Sequence, residues 1–295
     1  MELQIEPGKY VVAVSGGVDS VVLLHKLVQQ SDLDLVVAHF DHGIRPDSRE
    51  DRLLVGELAH AYGLPFVYRE GKLGGSASEA IARKARYNFL HEIRQVSRAR
   101  AVVTAHHQDD VLETIILNLL RGTGRRGLSS LKSTDILNRP LVHLPKAELL
   151  RYAKREGLQW REDSTNQDDV YLRNYVRKYL MPRFALAERE ALLAISKQTH
   201  QLNTAITEQV GNYLDVQPKV STLDRHQFIM LPHAVAREIM AEWLLANTSV
   251  ELSRQLLERL VAAAKTARPG SKIDVDAGHW LGISRTYLAL MPRER

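Results

Sequence analysis

Hydrophobic positions along this chain switch repeatedly between two periods. Tyr10-Val11-Val12-Ala13-Val14, Leu35–Ala38, Pro65–Tyr68 and Ala101–Thr104 are short apolar runs bounded by glycine or polar clusters. Each predicts a strand. Between them lie helical patterns. Val18–Gln29 is the first. Ser48–Tyr62 is the second, with Leu54, Val55, Leu58 and Tyr62 on one face and Gly63 as its stop. Ser76 and Glu79 form a capping box for a third, which runs to Val96. Asp109–Arg121 is the fourth, with Leu112, Ile115, Ile116 and Leu119 aligned. Strands alternating with helices predict an α/β fold, a twisted parallel sheet covered by helices on both faces.

The pattern changes further on. Arg139-Pro140-Leu141-Val142 reads as one more short strand, and Pro145 opens a helix that Gly157 closes. A long, weakly patterned helix is expected over Ala187–Leu214. Two helices follow, near His233–Asn247 and Val250–Thr266. After Pro269-Gly270 come three short strands, Lys272–Val275, His279–Ile283 and Tyr287–Leu290. The expected organisation is a first α/β domain over 1–186, a connecting helix over 187–216 and a small α+β domain over 217–295.

Composition narrows the chemistry. The chain has 295 residues, 44% of them hydrophobic, and no cysteine. That removes a disulfide framework, a thiolate nucleophile, a zinc ribbon and an iron–sulfur cluster. The acidic start, Met1-Glu2-Leu3-Gln4-Ile5-Glu6, has no leader pattern, and no run is long enough to span a bilayer, which predicts a cytoplasmic protein with no membrane partner. Net charge is +5; residues 1–185 carry 27 Lys+Arg against 23 Asp+Glu, so the surplus lies in the first domain. A polyanionic partner is permitted but not demanded.

The chemistry-bearing residues fall at the carboxyl ends of the expected strands, where open parallel sheets bind ligands. After the first strand comes Ser15-Gly16-Gly17-Val18-Asp19-Ser20. Two glycines admit a phosphate close to the backbone, and the next helix presents free N–H groups. No lysine of the P-loop kind follows. After the second strand comes His39-Phe40-Asp41-His42-Gly43-Ile44-Arg45, and after the fourth Thr104-Ala105-His106-His107-Gln108-Asp109-Asp110. Asp109 and Glu113 share a helical face, and Glu113 is also three residues from Asp110. Such carboxylates either complement the helix dipole or hold Mg²⁺ or an ammonium group; the preceding histidines favour function, and the spacing does not suit zinc. Arg121-Gly122-Thr123-Gly124-Arg125-Arg126-Gly127 predicts a mobile cationic loop. Arg173 and Arg177 lie on one helical face, suited to anions.

In order along the first 180 residues, these segments resemble the tRNA(Ile)-lysidine synthetase family of ATP pyrophosphatases. The match includes the glycine loop, the His39–Arg45 segment with Ser48, and Ala82-Arg83 with Arg86-Tyr87. It continues through Thr104–Asp110, Glu113-Thr114, Asn118–Gly124 with Gly127-Leu128, Arg139-Pro140-Leu141, Trp160–Asn166, and Arg173-Asn174 with Arg177. The resemblance implies that ATP adenylates the C2 oxygen of the wobble cytidine in an isoleucine tRNA with a CAU anticodon. The ε-amine of free L-lysine then displaces AMP. It implies Asp19, Arg86, Asp110 and Glu113 as catalytic residues, with Asp19 as the Mg²⁺ partner. ATP is expected at Ser15, Gly16, Gly17, Val18, Asp19, Ser20, His39, Asp41 and His42. Lysine and tRNA are expected at His106, Asp110, Glu113, Arg121, Arg173 and Arg177. A homodimer is compatible with it. Some members carry a second, longer C-terminal domain; this chain ends at Arg295 and is expected to lack it. Asp163-Ser164-Thr165-Asn166 fits the family's acidic-Ser-Asn segment one residue loosely. Sulfur-inserting tRNA thiolases share the glycine loop but use cysteines. GMP- and NAD-type synthetases share it without Arg-Gly-Thr-Gly, and a non-catalytic nucleotide sensor would need neither the carboxylates nor the arginine pair.

Overall fold

The computed structural model describes residues 3, 5–43, 48–71, 79–123, 125–129, 131–161, 172–215, 221–250 and 252–293. Ile44 and Arg45, Ser76 of the expected capping box, Gly124 and the Glu162–Asn166 segment lie outside them. The chain divides into two compact units, Met1–Lys197 and Gln198–Arg295. The division falls within the long helix Leu186–Asp215.

In the first unit the strands are β1 (Gly8–Ala13), β2 (Leu33–Asp41), β3 (Phe66–Glu70), β4 (Ala101–Val103) and β5 (Leu137–Asn138). They form a parallel sheet in the order β3-β2-β1-β4-β5. Its helices are α1 (Val18–Val28), α2 (Ser48–Ala61), α3 (Glu79–Val96), α4 (Gln108–Leu120), α5 (Arg125–Leu128), α6 (Lys146–Arg155), α7 (Leu172–Tyr175) and the start of α8 (Leu186–Asp215). A π-helical turn, Val176–Leu180, and a 3₁₀ turn, Met181–Arg183, continue α7.

The period of two divides β1 between two cores. Tyr10 and Val12 pack with Val22, Leu23 and Leu24 of α1, Val55 of α2, and Leu149 and Tyr152 of α6. Val11 faces the other way, onto Phe89 and Leu90 of α3 with Val36 and Val102. Covered on both faces, the central strands carry no polar side. The strand order reverses beside β1, with β2 on one side and β4 on the other. That switch opens a crevice at their carboxyl ends. Leu112, Ile116 and Leu117 of α4 bury a third cluster with Val176, Met181, Leu192 and Leu193. This seats the π turn against α4.

One expected strand is displaced. The run Arg139–Val142 is not a strand; β5 is Leu137–Asn138, and Leu141 is fully buried in the turn beyond it. Pro140 lacks the N–H that a continued ladder needs, so pairing stops before it.

The second unit has an antiparallel sheet in the order β6-β9-β8-β7, formed by β6 (Thr222–Asp224), β7 (Lys272–Asp274), β8 (His279–Ile283) and β9 (Tyr287–Pro292). Helices α9 (Arg225–Met230), α10 (His233–Asn247) and α11 (Arg254–Thr266) share its core, which centres on Phe228, Trp243, Leu260 and Leu281. Strand β6 and helix α9 are additions to the expected elements. Asp224 caps α9 by accepting from the Gln227 N–H at 2.8 Å. Arg225 is buried and donates to the carbonyls of Ala264, Ala267 and Ser284, which disperses its charge over three backbone dipoles. Among the described residues no helix is long and apolar enough to cross a membrane.

Leu24 is fully buried where α1 meets the sheet. Leu24→Ala should lower the unfolding free energy by about 3 kcal/mol in urea titration. A loss under about 1 kcal/mol would mean that α1 is not seated as described.

Candidate active site

The turn leaving β1 is held from within and from outside. Ser20 Oγ accepts from the Ser15 N–H at 3.1 Å and donates to the Gly17 carbonyl at 2.9 Å. Gly16 is buried at φ +94°, where a side chain is strained. A Cβ there would meet Asp51 of α2 at 3.5–3.7 Å. The Gly16 carbonyl accepts from the Arg161 N–H at 3.0 Å. The Arg161 guanidinium grips α2 through Asp51 at 2.9 Å and through Glu50. The loop is thus preformed, with the first amides of α1 lacking intrahelical acceptors. The Val18 side chain lies in the core and fixes that helix start.

From this start Asp19 meets α4. Its Oδ2 lies 3.5 Å from His107 Nε2 and 3.7 Å from Lys146 Nζ. The same His107 Nε2 lies 3.4 Å from Asp110 Oδ2, which also accepts the His107 backbone N–H at 2.9 Å. Burial works against charge at both Asp19 and His107. At Asp19 it is outweighed by His107, Lys146 and Arg177, which hold the carboxyl below its ordinary pKa. At His107, Asp19 and Asp110 outweigh burial and Lys146, and raise the imidazole pKa. The chain of charge continues. Arg177, on the π turn, clamps buried Glu113 with Nε at 2.6 Å and Nη2 at 2.9 Å, and reaches Asp110 Oδ1 at 3.8 Å. π turns recur at functional sites because they redirect a side chain.

A cavity of about 390 Å³ opens here. Its lining includes Ser15, Gly17, Asp19, Ser20, His39, Asp41, His42, Arg86, His106 and Asp110. Buried His39 donates from Nδ1 to the Val14 carbonyl at 2.8 Å, leaving Nε2 as an acceptor with no partner. Burial, opposed by that bond and by Asp41 and Asp51, keeps its pKa low. Asp41 accepts from the Gly43 N–H at 2.8 Å and the Ser48 hydroxyl at 3.0 Å, so it shapes the turn after β2. His42 stands edge-on to Phe40 at 5.0 Å. His106 shares a hydrogen bond with the Thr104 hydroxyl at 2.9 Å. Burial, and then Arg139, Arg86, Arg83 and Arg173, push its pKa down to about 2, so it is neutral.

The residues expected at the site divide three ways. Ser15, Gly17, Asp19, Ser20, His39, Asp41, His42, Arg86, His106 and Asp110 line one cavity, while Gly16 and Val18 are buried in the same turn. Glu113, Arg173 and Arg177 stand behind it: Glu113 is matched by Arg177, and Arg173 bears on His106 and Arg86. Arg121 is exposed at the end of α4 and lines no part of the cavity. The expected cationic loop after it is, in its described part, a turn and the single helical turn α5. The Thr123 hydroxyl donates to the Asn118 carbonyl at 3.0 Å, and the Asn118 amide donates to the Gly127 carbonyl at 2.7 Å.

Two contributors escaped the pattern, Asp51 and Lys146, while His107 and Arg161 fell in motif segments without a role of their own. Lys146 left a signal. It opens α6, where the helix dipole disfavours a cation. Asp109 Oδ1 accepts its backbone N–H at 3.1 Å, and its ammonium turns to Asp19 instead.

A parallel sheet with a glycine turn at its switch point, amides facing a polar cavity and no P-loop lysine defines a nucleotide-binding domain of the PP-loop class. The PP-loop domain family matches residues 3–184. The chain is 35% identical over 271 residues to the tRNA(Ile)-lysidine synthase of Solibacter usitatus, covering 91% of this chain and 59% of that one. It is 38% identical over 294 residues to that of Exiguobacterium sibiricum, covering 97% and 69%. With the enzyme of Thermus thermophilus it shares 43% over 189 residues, covering 61% and 37%. The chain belongs to the tRNA(Ile)-lysidine synthase family. It spans between about a third and three-fifths of the first curated relatives' length. Among solved structures, the U34-tRNA thiolase NcsA from Methanococcus maripaludis shares the fold, with TM-score 0.56 at 17% identity over 67% of this chain and 73% of that one.

The Arg177–Glu113 pair sets a test. Arg177→Met strands a buried carboxylate and should cost about 3 kcal/mol in urea titration. Adding Glu113→Leu should recover most of that loss. A single-variant loss below about 0.5 kcal/mol would show that the pair does not hold the π turn.

Proposed function

We propose that this chain carries out lysidine synthesis: ATP-dependent activation of a tRNA cytidine at C2, followed by capture by free lysine. The observation that carries this reading is the shared cavity. One wall is a preformed phosphate cradle, and another is a carboxylate, Asp110, that faces it across the buried Asp19–His107–Asp110 contact. Adenylation and amine attack need their two reagents side by side.

In this reading the turn Ser15–Ser20 receives the ATP phosphates on its amides, and Lys146 adds positive charge as pyrophosphate leaves. Asp19 suits Mg²⁺. Its Oδ1 is a buried acceptor without a hydrogen-bond partner, and one carboxylate beside phosphates is an ordinary magnesium environment. The ion would neutralise phosphate charge there. Among the described residues no cluster of three or more His, Cys, Asp or Glu suggests a dedicated metal cage. His39, neutral with an acceptor nitrogen, Asp41 and His42 shape the wall at the end of β2, where the nucleoside would lie.

Asp110 is the ammonium partner. Glu113 reaches lysine only through Arg177, because that guanidinium occupies both of its oxygens. Asp110 would hold the ε-ammonium and accept its proton before the amine attacks C2. Arg86 supplies positive charge on the cavity wall, and Arg173 stands behind it. The neutral His106 can donate or accept a hydrogen bond but cannot serve as a cation. The partners are the CAU-anticodon isoleucine tRNA and L-lysine, with ATP as cosubstrate in the cytoplasm.

Radiolabelled lysine should enter an isoleucine transcript with a CAU anticodon, with AMP and pyrophosphate released, and should not enter the methionine transcript. Asp110→Asn keeps the helix-start acceptor but removes the charge. It should raise the KM for lysine about tenfold or more. ATP turnover without lysine in RNA would contradict the reading. Full transfer by Asp110→Asn at limiting lysine would remove Asp110 from the ammonium site.

A further inference from the structure

Helices α4 and α6 begin side by side, and each start is completed by the other segment. The first N–H of α4, at Gln108, donates to the Leu144 carbonyl at 2.9 Å, and the Gln108 side-chain amide reaches the His143 carbonyl at 3.4 Å. In return the first N–H of α6, at Lys146, donates to Asp109 Oδ1 at 3.1 Å. Pro145 holds the N-cap position of α6 and has no side-chain acceptor to offer. Asp109 thus caps a helix that begins 37 residues further along the chain. Its carboxylate has no other polar partner among the described residues.

This cap bears on a cation. The positive end of a helix disfavours an ammonium group in its first turn. Lys146 nevertheless opens α6, with Nζ 3.7 Å from Asp19 Oδ2. Two carboxylates oppose the dipole there. Asp19 draws the ammonium forward, and Asp109 fixes the helix start and offsets its charge. Asp19 lines the cavity beside the glycine turn; Lys146 and Asp109 do not. Asp109 therefore connects to the cavity in two links, through Lys146 and then Asp19.

We propose that Asp109 is a positioning residue: by capping α6 it aims Lys146 at the phosphate cradle, where the ammonium meets the charge of the departing pyrophosphate. This rests on the reading of Ser15–Ser20 as the site of the ATP phosphates. Asp109 touches no reactant, in contrast to its neighbour Asp110.

The test is ATP–pyrophosphate exchange by the full chain with the isoleucine transcript, with lysine transfer measured beside it. Asp109→Ala should raise the KM for ATP and for pyrophosphate about fivefold, the scale of one lost helix cap, and leave the KM for lysine unchanged. Loosened packing alone would lower kcat without singling out the phosphate-bearing reactants. Asp109→Asn keeps an acceptor for the Lys146 N–H and should recover about half of the loss or more. In a Lys146→Met background, Asp109→Ala should move neither KM, because Asp109 acts through that lysine. Should Asp109→Ala not fold, Asp109→Glu, which keeps the charge but displaces the acceptor, takes its place with the same expectations. Unchanged KM values for ATP and pyrophosphate in Asp109→Ala would overturn the proposal. So would an effect that persists in the Lys146→Met background, or an Asp109→Asn variant no better than Asp109→Ala. Absence of exchange by the wild type would instead remove the proposed function, and this inference with it.

Discussion

The site depends on one line of alternating acids and bases, buried at His107 and Glu113. Asp19, His107, Asp110, Arg177 and Glu113 come from α1, the start of α4 and the π turn after α7, yet each acid faces a basic neighbour. No single pair would justify its own desolvation. Linked, they hold three elements in register around a cavity and leave Asp19 and Asp110 with oxygens on its wall. The glycine turn fits the same logic. Gly16 takes a conformation other residues resist, and Asp51 with Arg161 fixes it from the far side.

Much of this was legible in the chain. The apolar runs located β1, β2 and β4 because burial on both faces keeps their middle residues apolar; β3, exposed at the sheet edge, was located by its short run after Pro65. The glycine turn and the acids of α4 were visible because their chemistry is local. What was not legible came from distance. Glu113 reads as a free acid until Arg177, 64 residues on, occupies it. Asp109 reads as a site acid on a shared face with Glu113, but it caps α6 instead. Asp51 looks like an ordinary first-turn acid of α2; only tertiary packing puts it beneath the loop. Strand β5 was misplaced because Leu141 is buried by a turn, and burial alone does not distinguish a turn from a strand.

The second unit was legible in its three hairpin strands and two helices. It was incomplete at β6 and α9. Strand β6 is three residues long, and its partner is β9, far along the chain, with Leu223 opposite Leu288. No local alternation marks so short a strand. Arg225 shows the same effect in a single residue: a charge in sequence, and the buried tie between α9, α11 and the β8–β9 turn in the fold.

A crystal structure with a non-hydrolysable ATP analogue tests the phosphate cradle most directly. The β- and γ-phosphates should lie against the amides of Gly16 to Ser20, with Lys146 drawn from Asp19 toward them. A triphosphate bound elsewhere in the molecule, with that turn unoccupied, would contradict it.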